Sequence, residues 1–217
     1  MEVTRNAILK LLTNELPIQL MNSFEERLYS HTQEHHSYVN RMFPDPEFHP
    51  AITGQLINTS VHQTLRLSAL EAGVPSIVEV TSPRGSEYAK VTSNSFIFTG
   101  IRADSSQFSN ARYRQRLAHL NSVFDPPQLS LLEDHNAFAN SAEKLFAIFS
   151  AFVDNDRNIH LSCLIPNEGL SRILINYTFD EIRAAAITPA YTDDLELPIE
   201  VKRQLRDLDN DADAAQG

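Results

Sequence analysis

Leu145-Phe-Ala-Ile-Phe-Ser-Ala-Phe-Val153, followed by Asp154-Asn-Asp-Arg-Asn158 and Ile159-His-Leu-Ser-Cys-Leu-Ile165, is the stretch that decides the fold. Taken alone, the run 145–153 fits a buried helix or a buried strand, because an unbroken apolar segment carries no period. The residues after it favour a strand. Residues 154–158 are dense in turn formers, and beyond them Ile159, Leu161, Cys163 and Ile165 alternate with His160, Ser162 and Leu164. Pro166-Asn-Glu-Gly169 makes a second turn, and Ile173 to Phe179 is again rich in strand formers. Upstream, Ile77, Val78 and Val80 form a β-branched run that turns at Pro83-Arg-Gly-Ser86 into Tyr88–Thr92. These two runs predict a hairpin, and Phe96–Thr99 supplies a third strand beside it.

Ahead of these strands the period changes to that of helices. Thr4 is placed to cap a short helix in which Ile8, Leu11 and Leu12 share a face, ending near Glu15 before Pro17. From Ile18 to Met42, Leu20, Phe24, Leu28 and Val39 fall near one stripe, and Pro44 and Pro46 stop that helix because they cannot donate to it. His49-Pro50 opens a third helix with Ile57, Val61 and Leu65 on its apolar face and Gly73 at its C-terminal cap. Ser109–Ser122 reads as a further helix, with Tyr113, Leu117 and Leu120 inward and Arg112, Arg114, Arg116 and His119 outward. The expected architecture is α+β, a helical N-terminal third packed on a largely antiparallel β-sheet. Residues 1–206 form a single domain, with helices across 5–73 and a sheet-rich part across 76–179. From Asp180 onward helix is expected, and Asp207–Gly217 reads as a disordered acidic tail.

Composition narrows the function classes. Across 217 residues the net charge is −10, and about half of it sits between Asp193 and Gly217, which opposes non-specific attraction to nucleic acid or anionic membranes. No apolar run approaches the roughly 18 residues of a membrane span. The N-terminus lacks the pattern of a signal peptide. The lone Cys163 allows no internal disulfide, consistent with a reducing compartment, so a cytoplasmic location is expected. It sits among apolar strand residues and reads as a buried, inert thiol. No G-x-S-x-G elbow and no glycine-rich phosphate loop occurs.

Three groups of residues could carry chemistry. His31-Thr-Gln-Glu34-His35 resembles the H-x-x-E-H motif of inverted zinc peptidases. Histidines four apart on a helix can share a tetrahedral zinc ion, and the glutamate can deprotonate a bound water. The resemblance implies His31 and His35 as ligands, Glu34 as general base, and a third ligand on a later helix, for which Glu71 is the nominee. Glu79, Glu87 and Lys90 on the expected hairpin are similar in kind to the acids and lysine of magnesium-dependent nucleases, although cross-strand pairing accounts for the same residues. Arg102, Arg112, Arg114 and Arg116, with Tyr113 interleaved, form the most basic stretch, suited to phosphates or an acidic partner.

The expectation from the whole sequence is a non-catalytic regulatory or accessory protein acting on a macromolecular partner, most simply a protein. The alternatives are a zinc-dependent hydrolase and a metal-dependent nuclease or nucleic-acid-binding protein. The acidic tail has a specific consequence if it folds back onto the arginines and competes with the partner. Deleting Asp207–Gly217 should then tighten partner binding, measured by titration calorimetry, and unchanged affinity would eliminate the competition.

Overall fold

The protein is described here by a computed structural model covering residues 2–82, 85–103, 111–124, 144–154, 156 and 158–187. Prolines and glycines of the sequence mark most of its boundaries. Helix α1 (Glu2–Glu15) stops before Pro17, and α2 (Ile18–Met42) ends as Phe43 turns extended ahead of Pro44. Asp45 accepts a hydrogen bond from the Glu47 backbone N–H at 3.0 Å and caps a 3-10 turn at Pro46–Phe48. Helix α3 (His49–Glu71) follows, with Pro50 in its first turn and Gly73 just past its end at φ +73°, a left-handed conformation that glycine adopts without strain. Helix α1 begins two residues before the expected cap, so Thr4 lies inside its first turn.

Among the described residues six strands form one sheet in the order β1 (Ser76–Val80), β2 (Glu87–Thr92), β3 (Phe96–Ile101), β4 (Leu145–Val153), β5 (Ile159–Pro166), β6 (Ile173–Thr178). Every neighbouring pair is antiparallel except β3 and β4. A parallel pair cannot be joined by a tight turn. The chain between them includes helix α4 (Arg112–Ala118), which continues as a 3-10 turn at His119–Phe124. Helix α5 (Phe179–Ile187) ends the described chain. The expected tail, 207–217, lies outside the described residues.

The sheet is covered on both faces, which is why β4 reads as an unbroken apolar run. Ala147, Phe149 and Ala151 of β4, with Phe98, Leu161 and Cys163, join the core that holds Leu12, Leu20, Phe24, Leu28, Ile57, Val61 and Leu65 of the helices. Phe146 and Ile148 belong to a second cluster with Ile101, Leu164 and Ala118 of α4. Gly100 lets α3 seat against the sheet, since a β-carbon there would come within 2.6 Å of Val61 Cγ1. On the second face Asn121, fully buried, repairs a gap in the ladder. Pro166 has no N–H to offer β4, and the Asn121 side chain donates to the carbonyls of Phe146 (2.9 Å) and Pro166 (2.7 Å) while accepting from the Phe146 N–H (2.8 Å).

One sequence expectation needs correction. Arg114 is only 6% exposed, although the helical pattern placed it outward with Arg112, Arg116 and His119. Helix α4 is short and lies against the sheet, so both Tyr113 and Arg114 turn inward, with the guanidinium 5.1 Å from the Tyr113 ring centroid. Residues 109–110 of the expected helix lie outside the described residues.

The centre of the helix-sheet core is aromatic. Phe149 meets Phe24 of α2, Phe98 of β3 and Phe179 of α5 at ring-centroid distances of 5.6, 5.3 and 5.0 Å, all near edge-to-face. Phe149→Ala should lower unfolding free energy by about 3–5 kcal/mol, a large part of the roughly 5–15 kcal/mol of a typical domain. Urea denaturation monitored by circular dichroism measures the loss, and a change below about 1 kcal/mol would show that the aromatic cluster is peripheral to stability.

Candidate functional site

The residues nominated for a zinc site lie on a polar seam between α2 and α3. Ser23, Arg27, His31 and His35 recur every fourth residue on α2 and face Ser60, Thr64, Ser68 and Glu71 of the antiparallel α3. His35 Nε2 lies 2.6 Å from Ser60 Oγ, and His31 Nδ1 lies 3.3 Å from Thr64 Oγ1. Glu71 accepts from Ser23 Oγ (2.7 Å) and pairs with Arg27 Nη2 (3.0 Å). The two imidazoles are neighbours, 6.2 Å between ring centroids. Glu71, however, is bonded two helical turns away from His35, about 12 Å along the axis at 1.5 Å per residue. Glu34 is exposed, with Ser30 Oγ at 3.4 Å. Among the described residues no group of three or more His, Cys, Asp or Glu is arranged to hold a metal ion. Burial, then the neighbouring His31, holds His35 below its ordinary pKa, and Glu34 acts in the opposite sense.

On the hairpin, Glu79 is engaged by two neighbours. It accepts from the Tyr88 hydroxyl, its cross-strand partner, and from Lys90 Nζ at 2.9 Å. The Tyr88 hydroxyl and Lys90 hold the Glu79 carboxyl below the usual range, while burial and Glu79 hold the Tyr88 phenol well above its own. Glu87 is paired with Val80, one position along the strand, and so projects from the opposite face. The structure thus joins Glu79 to Lys90 and separates both from Glu87. Cys163, wholly buried in the main core, has its thiol pushed up to about 12 by that burial.

Two of the four arginines, Arg112 and Arg114, line a cavity of about 350 Å³ between α3, the β1–β2 hairpin and the start of α4. Its walls include Asn58 and His62 from α3, Ser82, Ser86 and Glu87 from the hairpin, and Arg112, Tyr113 and Arg114 from α4. Tyr88 and Tyr113 stack with ring centroids 3.9 Å apart and pin α4 to the hairpin. Arg112 is exposed on the rim. Arg102 lies across α3 at Gly54, where a β-carbon would come within 2.8 Å of its Nη1, one helical turn before Asn58. Neither Arg102 nor Arg112 makes an ion pair among the described residues. Arg116 is turned toward Glu79 and Tyr88 and acts on both electrostatically.

Sequence reasoning missed His62. It occupies the polar flank of a helix whose apolar face is plain from its period, and only the fold brings it beside Gly100 and Arg114. Its Nδ1 is buried with no hydrogen-bond partner among the described residues. Burial, then the charge of Arg114, lowers its pKa from 6.5 to about 4.

This depression has a sign. Between 6.5 and about 4 the unfolded chain takes up a proton at His62 that the folded chain refuses, so stability is lost as pH falls through that window. His35 acts in the same direction. Urea denaturation at neutral pH and at about pH 5 should therefore show a decline that His62→Gln flattens, and an unaltered decline in that variant would contradict the assignment. Comparisons with protein-family models, curated proteins and solved structures find no match to this chain.

Proposed function

We propose that this chain is a non-catalytic cytoplasmic binding protein, a regulatory or accessory component, and that its cavity between α3, the hairpin and α4 receives an acidic segment of a protein partner. The observation that carries the reading is the placement of Arg112 and Arg102. Both are exposed at or beside the cavity and form no ion pair among the described residues. Ion pairs gain strength when partner binding removes them from water, and arginine forks suit carboxylates. Glu87 on the hairpin wall makes the cavity dipolar, which favours an extended segment held in one direction over a free small anion.

The alternatives have less support. His31, His35 and Glu71 are each committed to hydrogen bonds that join α2 to α3, and Glu79 and Lys90 satisfy one another. A nucleic-acid partner would meet the long-range repulsion of a chain of net charge −10.

Arg112→Glu reverses the charge at the rim without touching the core. Affinity purification from the native cell should recover a defined protein partner with the wild-type chain and at least about tenfold less with the variant, equivalent to about 1.4 kcal/mol. Equal recovery by both chains would contradict the proposed site.

A further inference from the structure

Among the described residues strand β1 ends the sheet with one side unpaired, and it carries an unusual side-chain load for an edge. Ile77, Val78 and Val80 are 54%, 47% and 47% exposed, and they project from both faces of a five-residue strand. Edge strands of soluble proteins are ordinarily protected by outward charges, prolines or bulges, because their free backbone groups template further pairing. Here the only charge on the strand, Glu79, is neutralised within the sheet by Lys90.

The backbone shows which groups are on offer. The N–H of Thr81 donates to the Ser86 carbonyl and the N–H of Thr92 donates to the Pro75 carbonyl, so both pairs occupy hydrogen-bonded positions of the ladder. Antiparallel ladders alternate, and Ile77 with Lys90 and Glu79 with Tyr88 are therefore bonded pairs too. Ser76, Val78 and Val80 are left with their N–H and C=O groups directed to the open side.

We propose that a second copy of this chain pairs there, β1 against β1 in antiparallel register about a two-fold axis through Val78. In this register all three outward residues are used: Val78 bonds the partner's Val78, and Ser76 and Val80 bond each other reciprocally. Val78 packs on its own counterpart, and Ile77 faces the partner's Glu79, so no like charges meet. A shift of one pair in either direction leaves one outward residue without a strand partner. In one direction it also sets Glu79 against Glu79, a destabilising opposition. The best register is thus the self-complementary one, as a closed two-fold interface requires. The argument for this interface uses none of the rim arginines and does not depend on the proposed partner site.

Sedimentation velocity of the full chain over a concentration series tests this. The wild-type chain should approach twice the chain mass as concentration rises. Val78→Pro removes one outward N–H and leaves every β1–β2 bond intact, so it should give a folded monomer by circular dichroism. A chain that stays monomeric at all concentrations, or a folded Val78→Pro that still dimerises, would overturn the proposal. Two exposed-site variants read the register independently of folding. Ile77→Glu, set against the partner's Glu79, should weaken dimerisation by about tenfold or more, while Ile77→Lys should retain it. Equal weakening by both would overturn the register.

Discussion

Everything in this fold is arranged around Phe149. It stands in the middle of β4, a strand with neighbours on both sides and layers on both faces, and its ring is shared by α2, β3 and α5 through Phe24, Phe98 and Phe179. Edge-to-face contacts of this kind demand that all participating elements keep their spacing, because a shift at one ring opens a gap at the others. The constraint reaches outward. With β4 fixed, Gly100 beside it on β3 must lack a side chain for α3 to seat, and the seating of α3 sets His62 against the sheet. On the other face, Phe146 and Ile148 hold α4, whose Tyr113 then stacks on Tyr88 and forms one wall of the cavity. The cavity is thus a consequence of core packing several residues away.

The polar seam between α2 and α3 shows how a catalytic-looking motif can serve a structural end. Histidines at a spacing of four on α2 meet hydroxyls at a spacing of four on α3, and the match is the ordinary repeat of two antiparallel helices. Small residues such as Ser60 and Thr64, both buried, let the helices approach, and the imidazoles satisfy the hydroxyls they cover. Electrostatics on the other face of α3 are different in kind. There the arginines lie beside a cavity, and His62 stays uncharged under the influence of burial and Arg114.

Local chemistry was legible in the sequence where one residue type had a single physical meaning. Prolines 17, 44 and 50 and Gly73 mark the ends of α2 and α3 because each restricts or frees the backbone in a known way. Strand β4 was legible only through the turn at 154–158 and the alternating strand after it, since a segment buried on both faces loses its own alternation. The parallel pairing of β3 with β4 was not readable, because it joins residues across a long connection and leaves no local signal. Arg114, Asn121 and His62 escaped for a related reason. Each is a polar residue whose role is set by distant partners, the Tyr113 ring, the carbonyls of Phe146 and Pro166, and Gly100. Of the candidate site, the arginine cluster was visible as a basic run, but the cavity that gives it a direction was not.

The central claim is that the helices and the sheet form one cooperative unit built on the Phe149 cluster. Native-state hydrogen exchange with residue resolution tests it most directly. The most protected amides of α2, β3, β4 and β5 should exchange with one common opening free energy, equal to the global unfolding value. Protected amides of α2 and α3 that open well below that value, while those of β4 stay closed, would contradict it.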